Sequence, residues 1–310
     1  MHPYWLRAIA LLTASFALTY IALSALSSLA WVAVRSRRQH SSGFLFTLLA
    51  APLLASLALV FFFVLPAFLL LEPRGSHEPI TWTLRAFAAL GTAIFATAIT
   101  RAARAWTQTL RSVRLWSANA IVSDREFDLP ILATSDSSPA VVVTGIARPM
   151  LLISRRTSAA LSANELRLVV AHEREHARRR DNLRKLLFSA NFMFLRREIE
   201  DRWVLSSELE ADRAAVSNGA EACDLAAALV KVSRLTFAQT PLATNFAAAN
   251  PAMLEMRVQQ LISWQATTER GHNIGKYLLT ITTIGGTAIL VANSAAILSF
   301  VHRVSELWMN

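Results

Sequence analysis

The sequence is organised around one stretch, residues 162–176, which reads SANELRLVVAHEREH. It opens with Ser-Ala-Asn-Glu, a capping box in which the serine and the glutamate can each bind a free backbone N–H group. This pattern predicts that a helix begins at Ser162. Leu166, Val169 and Val170 follow at helical spacing, so the helix is expected to bury one apolar face.

The end of this stretch carries a metal-binding pattern. His172 and His176 lie one helical turn apart, a spacing at which both imidazoles can reach one zinc ion. Glu173 stands beside the first histidine, where it can take a proton from water held at the metal. The charged neighbours of the motif would also suit a solvated helix face, which is the alternative interpretation. We predict that His172 and His176 bind zinc and that Glu173 is the catalytic base.

A third zinc ligand must come from farther along the chain. A metzincin would place a histidine at position 182, but the residue there is Asn182, so a carboxylate is expected. The candidates are Glu198, Glu200, Asp201, Glu208, Glu210 and Asp212. Glu208 and Asp212 share one helical face, which favours Glu208 as the ligand and Asp212 as the acceptor of a ligand histidine's other ring N–H. Glu210 is expected to face solvent, and Glu198 and Glu200 to form surface ion pairs.

Composition indicates a membrane protein. The chain has 310 residues, of which 54% are hydrophobic and only 17% are charged. Its single cysteine, Cys223, excludes an intramolecular disulfide framework and a cysteine-rich zinc cluster. The formal net charge of +10 fits arginine-rich cytoplasmic loops better than nucleic-acid binding in a protein of this class.

Four stretches are long and apolar enough to cross a bilayer, which takes about 20 residues. They are residues 8–34, 44–71, 80–100 and 277–301. The first could instead be a signal peptide, but it is too long and lacks a cleavage site of small residues. Arginines cluster after the first and third stretches, and this bias predicts that residues 101–276 are cytoplasmic and both chain ends lie outside. The predicted location is the cell (inner) membrane, with residues 302–310 as a short external tail.

The region between the third and fourth stretches is predicted to be a zinc-protease domain of α+β class, mostly helical with a small sheet. Residues 101–120 are predicted to continue a helix out of the membrane, and three short segments read as strands: residues 130–134, 140–145 and 150–154. Val141, Val142 and Val143 could form an edge that pairs with an extended substrate, or an ordinary core strand. The apolar run 186–195 is too short to span, so it is expected to be a core or interfacial helix.

Several segments together resemble a known family. They are LLISRR at 151–156, LSANEL at 161–166, AHEREHARRRD at 171–181 and ELEADR at 208–213. This combination resembles the membrane-embedded antirepressor metallopeptidases, gluzincins that include the beta-lactam sensor-transducers, and more distantly the HtpX-type and CAAX prenyl endopeptidases. The resemblance implies a cytoplasmic zinc protease that cleaves itself, a repressor, or both. By the same resemblance Arg257 is either an oxyanion stabiliser or a structural residue. Asp181 directly follows the zinc helix, and its position is compatible either with an anchor for the end of that helix or with an ordinary salt bridge.

The chain departs from the beta-lactam sensor-transducers after its fourth predicted span. Only nine residues follow Val301, so no extracellular penicillin-binding sensor domain is expected, and a signal would have to arrive through the spans or a separate sensor protein. The expected partners are a protein substrate, such as a winged-helix repressor, and membrane lipid, without direct contact to nucleic acid. The alternatives to a signalling protease are a quality-control protease of HtpX type and a catalytically inactive signalling scaffold. Glu173 favours an enzyme, because a purely structural zinc site needs four ligands and no base.

Overall fold

The computed structural model describes residues 4–37, 40–72, 80–117, 121–124, 130–134, 141–146, 148–235, 244–245, 251–264 and 303. The predicted fourth span, residues 277–301, lies outside these ranges, and so does the external tail apart from residue 303. Within the described ranges the chain is mostly helical with one small sheet, as predicted.

Among the residues that the structure describes, three long helical segments are apolar enough to cross a membrane, which indicates a membrane protein. They are α1 (Tyr4–Val34), the segment from Ser42 to Leu71, and α4 (Trp82–Ser117). The middle segment consists of α2 (Ser42–Leu59), a π-helical turn (Val60–Val64) and α3 (Leu65–Leu71). The π turn directly precedes Pro66, whose missing N–H cannot join a regular helical ladder.

The membrane helices contact each other through apolar clusters, a close backbone approach and an ion pair. Gly91 of α4 lies against α1 so closely that a Cβ at this position would overlap with the carbonyl group of Thr13. At one end of the bundle Arg7 and Glu72 form a buried ion pair with an N–O distance of 2.5 Å. Removal of either charge from solvent is costly, and the attraction between the paired charges offsets that cost inside an apolar bundle.

The sheet has five strands in the order β1-β2-β4-β3-β5. The strands are β1 (Ile121–Asp124), β2 (Ile131–Thr134), β3 (Val141–Thr144), β4 (Met150–Ser154) and β5 (Thr244–Asn245). Strands β2, β3 and β4 confirm the three predicted strands, whereas β1 and β5 were not predicted. Only the β2–β4 pair is parallel.

Strand β3 is not a free edge. It pairs with β4 on one side and with β5 on the other, through Val142 opposite Asn245 and Val143 opposite Thr244. The suggestion that Val141, Val142 and Val143 offer an edge to a substrate is therefore wrong for this arrangement, because β5 uses the hydrogen-bonding groups of that side. The side chains of all three valines are buried, as the core-strand alternative expected.

Six further helices lie in the part of the chain that the structure describes. They are α5 (Arg155–Ala160), α6 (Ala163–Arg179), α7 (Asp181–Ala190), α8 (Arg196–Ala215), α9 (Gly219–Ser233) and α10 (Pro251–Ile262). The main core lies where one face of the sheet meets α6 and α9, and it includes Leu151, Leu168 and Leu229. On the other face Val142 and Leu152 pack with Trp116, so the end of α4 covers the sheet.

Helices α7 and α8 pack directly on the α1–α2 hairpin. Trp31 and Leu45 of the hairpin share one buried cluster with Phe188 of α7 and Trp203 of α8. The helix predicted over residues 186–195 is corrected here, because α7 ends at Ala190 and a short connection leads into α8. This connection touches the membrane helices.

Candidate metal centre

Helix α6 begins as the sequence predicted. The Ser162 hydroxyl accepts from the Glu165 N–H, and the Glu165 carboxylate accepts from the Ser162 N–H, so the capping box is complete. Lys231 of α9 adds an ion pair to Glu165 at 2.8 Å. The helix ends at Arg180, which adopts a left-handed conformation with φ of 55°. That residue turns the chain sharply into α7.

The structure brings His172, His176 and Glu208 together. One potential ligand atom from each lies within 4.8 Å of the others. The two Nε2 atoms are 3.1 Å apart, and each lies 3.5 Å from one oxygen of the Glu208 carboxylate. Ligand atoms around a tetrahedral zinc ion at ~2.0–2.1 Å would lie ~3.3–3.4 Å from each other. The three side chains are therefore close enough to bind one metal ion, with each histidine Nε2 facing a different oxygen of Glu208.

An aspartate carboxylate lies near the Nδ1 atom of each histidine. Asp212 Oδ1 lies 2.9 Å from Nδ1 of His172, and Asp181 Oδ2 lies 2.7 Å from Nδ1 of His176. A carboxylate at Nδ1 keeps the proton there, which leaves Nε2 unprotonated and directed at a metal. Asp212 thus lies within ion-pair distance of His172, the histidine of its predicted role. Asp181 makes a hydrogen bond with the other histidine, a contact that the sequence did not reveal.

Arg257 of α10 contacts two carboxylates of the cluster, those of Asp212 and Glu208. Its Nε and Nη2 donate to Asp212 at 2.7 and 2.6 Å, and its Nη1 lies 2.8 Å from Glu208 Oε2. The residue is fully buried. These contacts favour the structural alternative for Arg257, because its guanidinium already neutralises two buried carboxylates.

Glu173 is buried beside the two histidines. Among the described residues neither of its carboxylate oxygens has a hydrogen-bond partner. Burial raises the pKa of this carboxyl group to about 7. A buried carboxyl group without protein partners, next to a metal cluster, is suited to exchanging a proton with water or substrate.

The charges around the cluster favour a cation. Burial would raise the pKa of Glu208, but Arg257 and His176 hold it well below its usual range. Burial alone would lower the pKa of His176, but the Glu208 carboxylate and the bond with Asp181 outweigh burial and raise it to about 10. The buried carboxylates around the histidines therefore favour positive charge at this site, which a divalent cation would supply.

The other predicted carboxylates lie outside the cluster. Glu210 is not simply solvated: its carboxylate accepts from the N–H and the hydroxyl of Ser42 and lies 2.8 Å from Arg179 Nη1. This corrects the expectation that Glu210 only meets solvent, because the first turn of α2 is packed against α8. Glu200 forms the expected surface ion pair, with Arg196 at 2.7 Å.

Hydrogen bonds of Asn182 connect the start of α7, next to the metal cluster, with strand β3 of the sheet. Asn182, the second residue of α7, donates from its side chain to the carbonyl oxygens of Val143 and Gly145, at 3.2 and 3.1 Å. Gly145 has a φ of +92°, and a Cβ there would overlap with the carbonyl oxygen of Arg148. Strand β3 is thereby held against the end of the helix that carries the histidines.

Comparison with known proteins supports the resemblance. The chain matches the family described as BlaR1 peptidase M56 over residues 76–195, a range that includes α4, most of the sheet and the His172–His176 pair. The match supports an antirepressor-type membrane metallopeptidase and so confirms the resemblance seen in the sequence. It ends before Glu208 and Asp212. No curated protein matches the chain.

Proposed function

We propose that this chain is a zinc endopeptidase of the cell membrane that cleaves a cytoplasmic or juxtamembrane protein in signalling. The substrate we propose is a transcriptional repressor, the protease itself, or both. The observation that carries the proposal is the cluster of His172, His176 and Glu208 with Glu173 beside it. Three protein ligands and a separate buried carboxyl group are the composition of a catalytic zinc site, because they leave one position open.

In this proposal each residue has a distinct task. His172, His176 and Glu208 would hold the zinc ion, which supplies Lewis acidity toward water and the substrate carbonyl when it is bound. Glu173 accepts a proton as water attacks the scissile carbonyl and returns it to the leaving amine. Asp181 and Asp212 keep the histidines in the required tautomer, while Arg257 holds the carboxylates in place.

The test compares two glutamates of the same motif. Glu173→Gln removes the base but no ligand, so we expect it to retain zinc and lose at least ~100-fold in peptide hydrolysis. Glu175→Gln is the matched control, because Glu175 lies on the same helix and pairs only with Arg178 among the contacts described. Wild-type turnover by zinc-loaded Glu173→Gln would refute the mechanism. Loss of activity in Glu175→Gln as well would show that the assay responds to helix stability.

The metal cluster is proposed to face the cytoplasm, where its substrate would lie. Its support is the arginine bias of the loops, since Arg35 and Arg37 follow α1 and Arg101, Arg104 and Arg111 lie along the second half of α4. Reporter fusions at Arg125 and at the C-terminus are expected to lie on opposite sides of the membrane. Readings from the same side would overturn this topology.

A switch and a quality-control protease differ in the number of their substrates. The family match favours signalling, since it describes a BlaR1-type peptidase. The proteomes of cells that carry wild-type protein and Glu173→Gln would be compared. Stabilisation of one repressor in the variant would support the switch, and accumulation of many unrelated membrane proteins would reject it.

A further inference from the structure

The connection between α7 and α8, residues 191–195, is bonded to two membrane helices. The Phe192 N–H donates to the Tyr20 hydroxyl of α1 at 2.5 Å, and the Asn191 side chain contacts the same hydroxyl. The Asn191 amide also donates to the carbonyl oxygen of Leu49 in α2. The Ser28 hydroxyl donates to the Phe194 carbonyl at 3.1 Å. The position of this loop along the helices is therefore well defined.

The helix lengths show at what depth this position lies. The outer ends of the three segments lie together, since Phe68, Ile80 and Leu84 share one cluster with the first turns of α1. A bilayer's hydrocarbon core takes about 20 helical residues. Counted from these outer ends, the core ends near Ser24 on α1, Pro52 on α2 and Arg101 on α4. The loop contacts each helix within a few residues of these points.

The side chains of the loop suit that boundary. Phe194 is 86% exposed and Phe192 is 43% exposed, although both are large and apolar. The Arg101 guanidinium lies 4.6 Å from the centre of the Phe192 ring, and Arg197 is exposed on the first turn of α8. Leu195 adopts a left-handed conformation with φ of 61°, which is unusual for a leucine and turns the chain back into α8.

We propose that residues 191–195 insert into the cytoplasmic leaflet of the bilayer, with Phe194 among the acyl chains and the arginines at the anionic headgroups. Aromatic rings flanked by arginine are favoured at this boundary, because the rings leave water while the guanidinium groups stay near phosphate. Leu54 and Ile99, which lie within two residues of the points where the core ends on α2 and α4, are also large apolar side chains that are exposed. Lipid alone would therefore cover the exposed apolar side chains of the loop, without a protein partner.

This insertion limits the distance between the metal cluster and the membrane. Glu208 follows Leu195 by about 13 residues on α8, so it lies at most ~20 Å from the loop. The choice of the cytoplasmic leaflet rests on the proposed topology, whereas lipid contact by the loop rests on the membrane helices alone. The test of lipid contact can therefore fail or succeed independently of the proposed proteolysis.

The experiment measures lipid contact at single positions. Phe194→Cys in a Cys223→Ser background is labelled with a nitroxide, and the full chain is placed in nanodiscs of phosphatidylethanolamine and phosphatidylglycerol. Two reference sites use the same background: Leu70→Cys, 72% exposed on a membrane helix, and Asp201→Cys, exposed on α8 beyond the loop. Collisions of the label with oxygen, which is enriched in lipid, are compared with collisions with a water-soluble nickel chelate.

We expect the label at position 194 to behave as the label at position 70, with oxygen collisions dominating. If the label at position 194 collides more often with the nickel chelate than with oxygen, as expected at position 201, the proposal is overturned. Because the Phe194 side chain is largely exposed, its replacement removes little packing and should leave the fold intact.

Discussion

Replacement of Asp181 by asparagine tests whether the carboxylates behind the histidines tune the metal site. Asp181 is buried, and its Oδ2 lies 2.7 Å from Nδ1 of His176 and 2.8 Å from the Ser207 hydroxyl. Asparagine has nearly the same shape but carries no charge, so the main loss is the charge-assisted hydrogen bond to the imidazole.

The structure allows the size of this effect to be estimated. A hydrogen bond to a charged group contributes about 1.5–3 kcal/mol, and each 1.4 kcal/mol corresponds to about a tenfold change in an equilibrium constant. We therefore expect Asp181→Asn to weaken zinc binding by roughly 10- to 100-fold. The same range is typical of substitutions behind metal-bound histidines. The peptidase reaction of the fully zinc-loaded variant should be affected less, because Glu173 and the three ligands are unchanged.

The assay is a zinc titration of the full chain in nanodiscs against a competing chelator. Ser207→Ala is the matched control, since it removes the hydroxyl that donates to the same carboxylate oxygen and leaves both Asp181 and His176 in place. It is expected to cost about 1.5–3 kcal/mol of folding stability and little zinc affinity. Equal zinc affinity of Asp181→Asn and wild type would refute the reasoning. Equal losses in both variants would show that packing, and not charge, is responsible.

Three further substitutions have controls or readouts of their own. Glu208→Ala is expected to lose bound zinc, while Glu210→Ala, two residues away, should keep it; metal analysis showing zinc retained in both would place the third ligand elsewhere. Arg257→Met leaves two buried carboxylates without their cation and should destabilise the fold by about 3–5 kcal/mol, and an unchanged melting temperature would contradict this. Gly91→Ala should lower the melting temperature because the new methyl group meets the backbone of α1, whereas Gly43→Ala, with open space around it, should not; similar shifts would argue against the close helix contact.

The sequence determined those features that depend on regular, local geometry. A helix repeats every 3.6 residues, so the capping box at Ser162 and the spacing of His172 and His176 predict a helix start and two imidazoles on one face. The same rule placed Glu208 and Asp212 on one side of a later helix. The membrane helices were recognisable because about 20 consecutive apolar residues have few other uses.

Other features depended on contacts between distant parts of the chain. Asp181 reaches His176 only because Arg180 adopts a left-handed conformation, and an arginine at this position gives no sign of such a turn. Strand β3 is an inner strand because two residues, Thr244 and Asn245, return to it from far along the chain. Neither the turn nor the pairing has a pattern of its own, since each is stabilised by its surroundings.

The position of the site relative to the membrane was likewise decided by tertiary structure. Charge counts along the loops predicted a side of the bilayer but no depth. The proposed depth rests on hydrogen bonds between residues 191–195 and Tyr20 or Leu49, which are separated from the loop by more than a hundred residues. Periodicity reports which face of a helix is buried. It cannot report which partner covers that face, because the partner is chosen by shape and polarity only when the chain has folded.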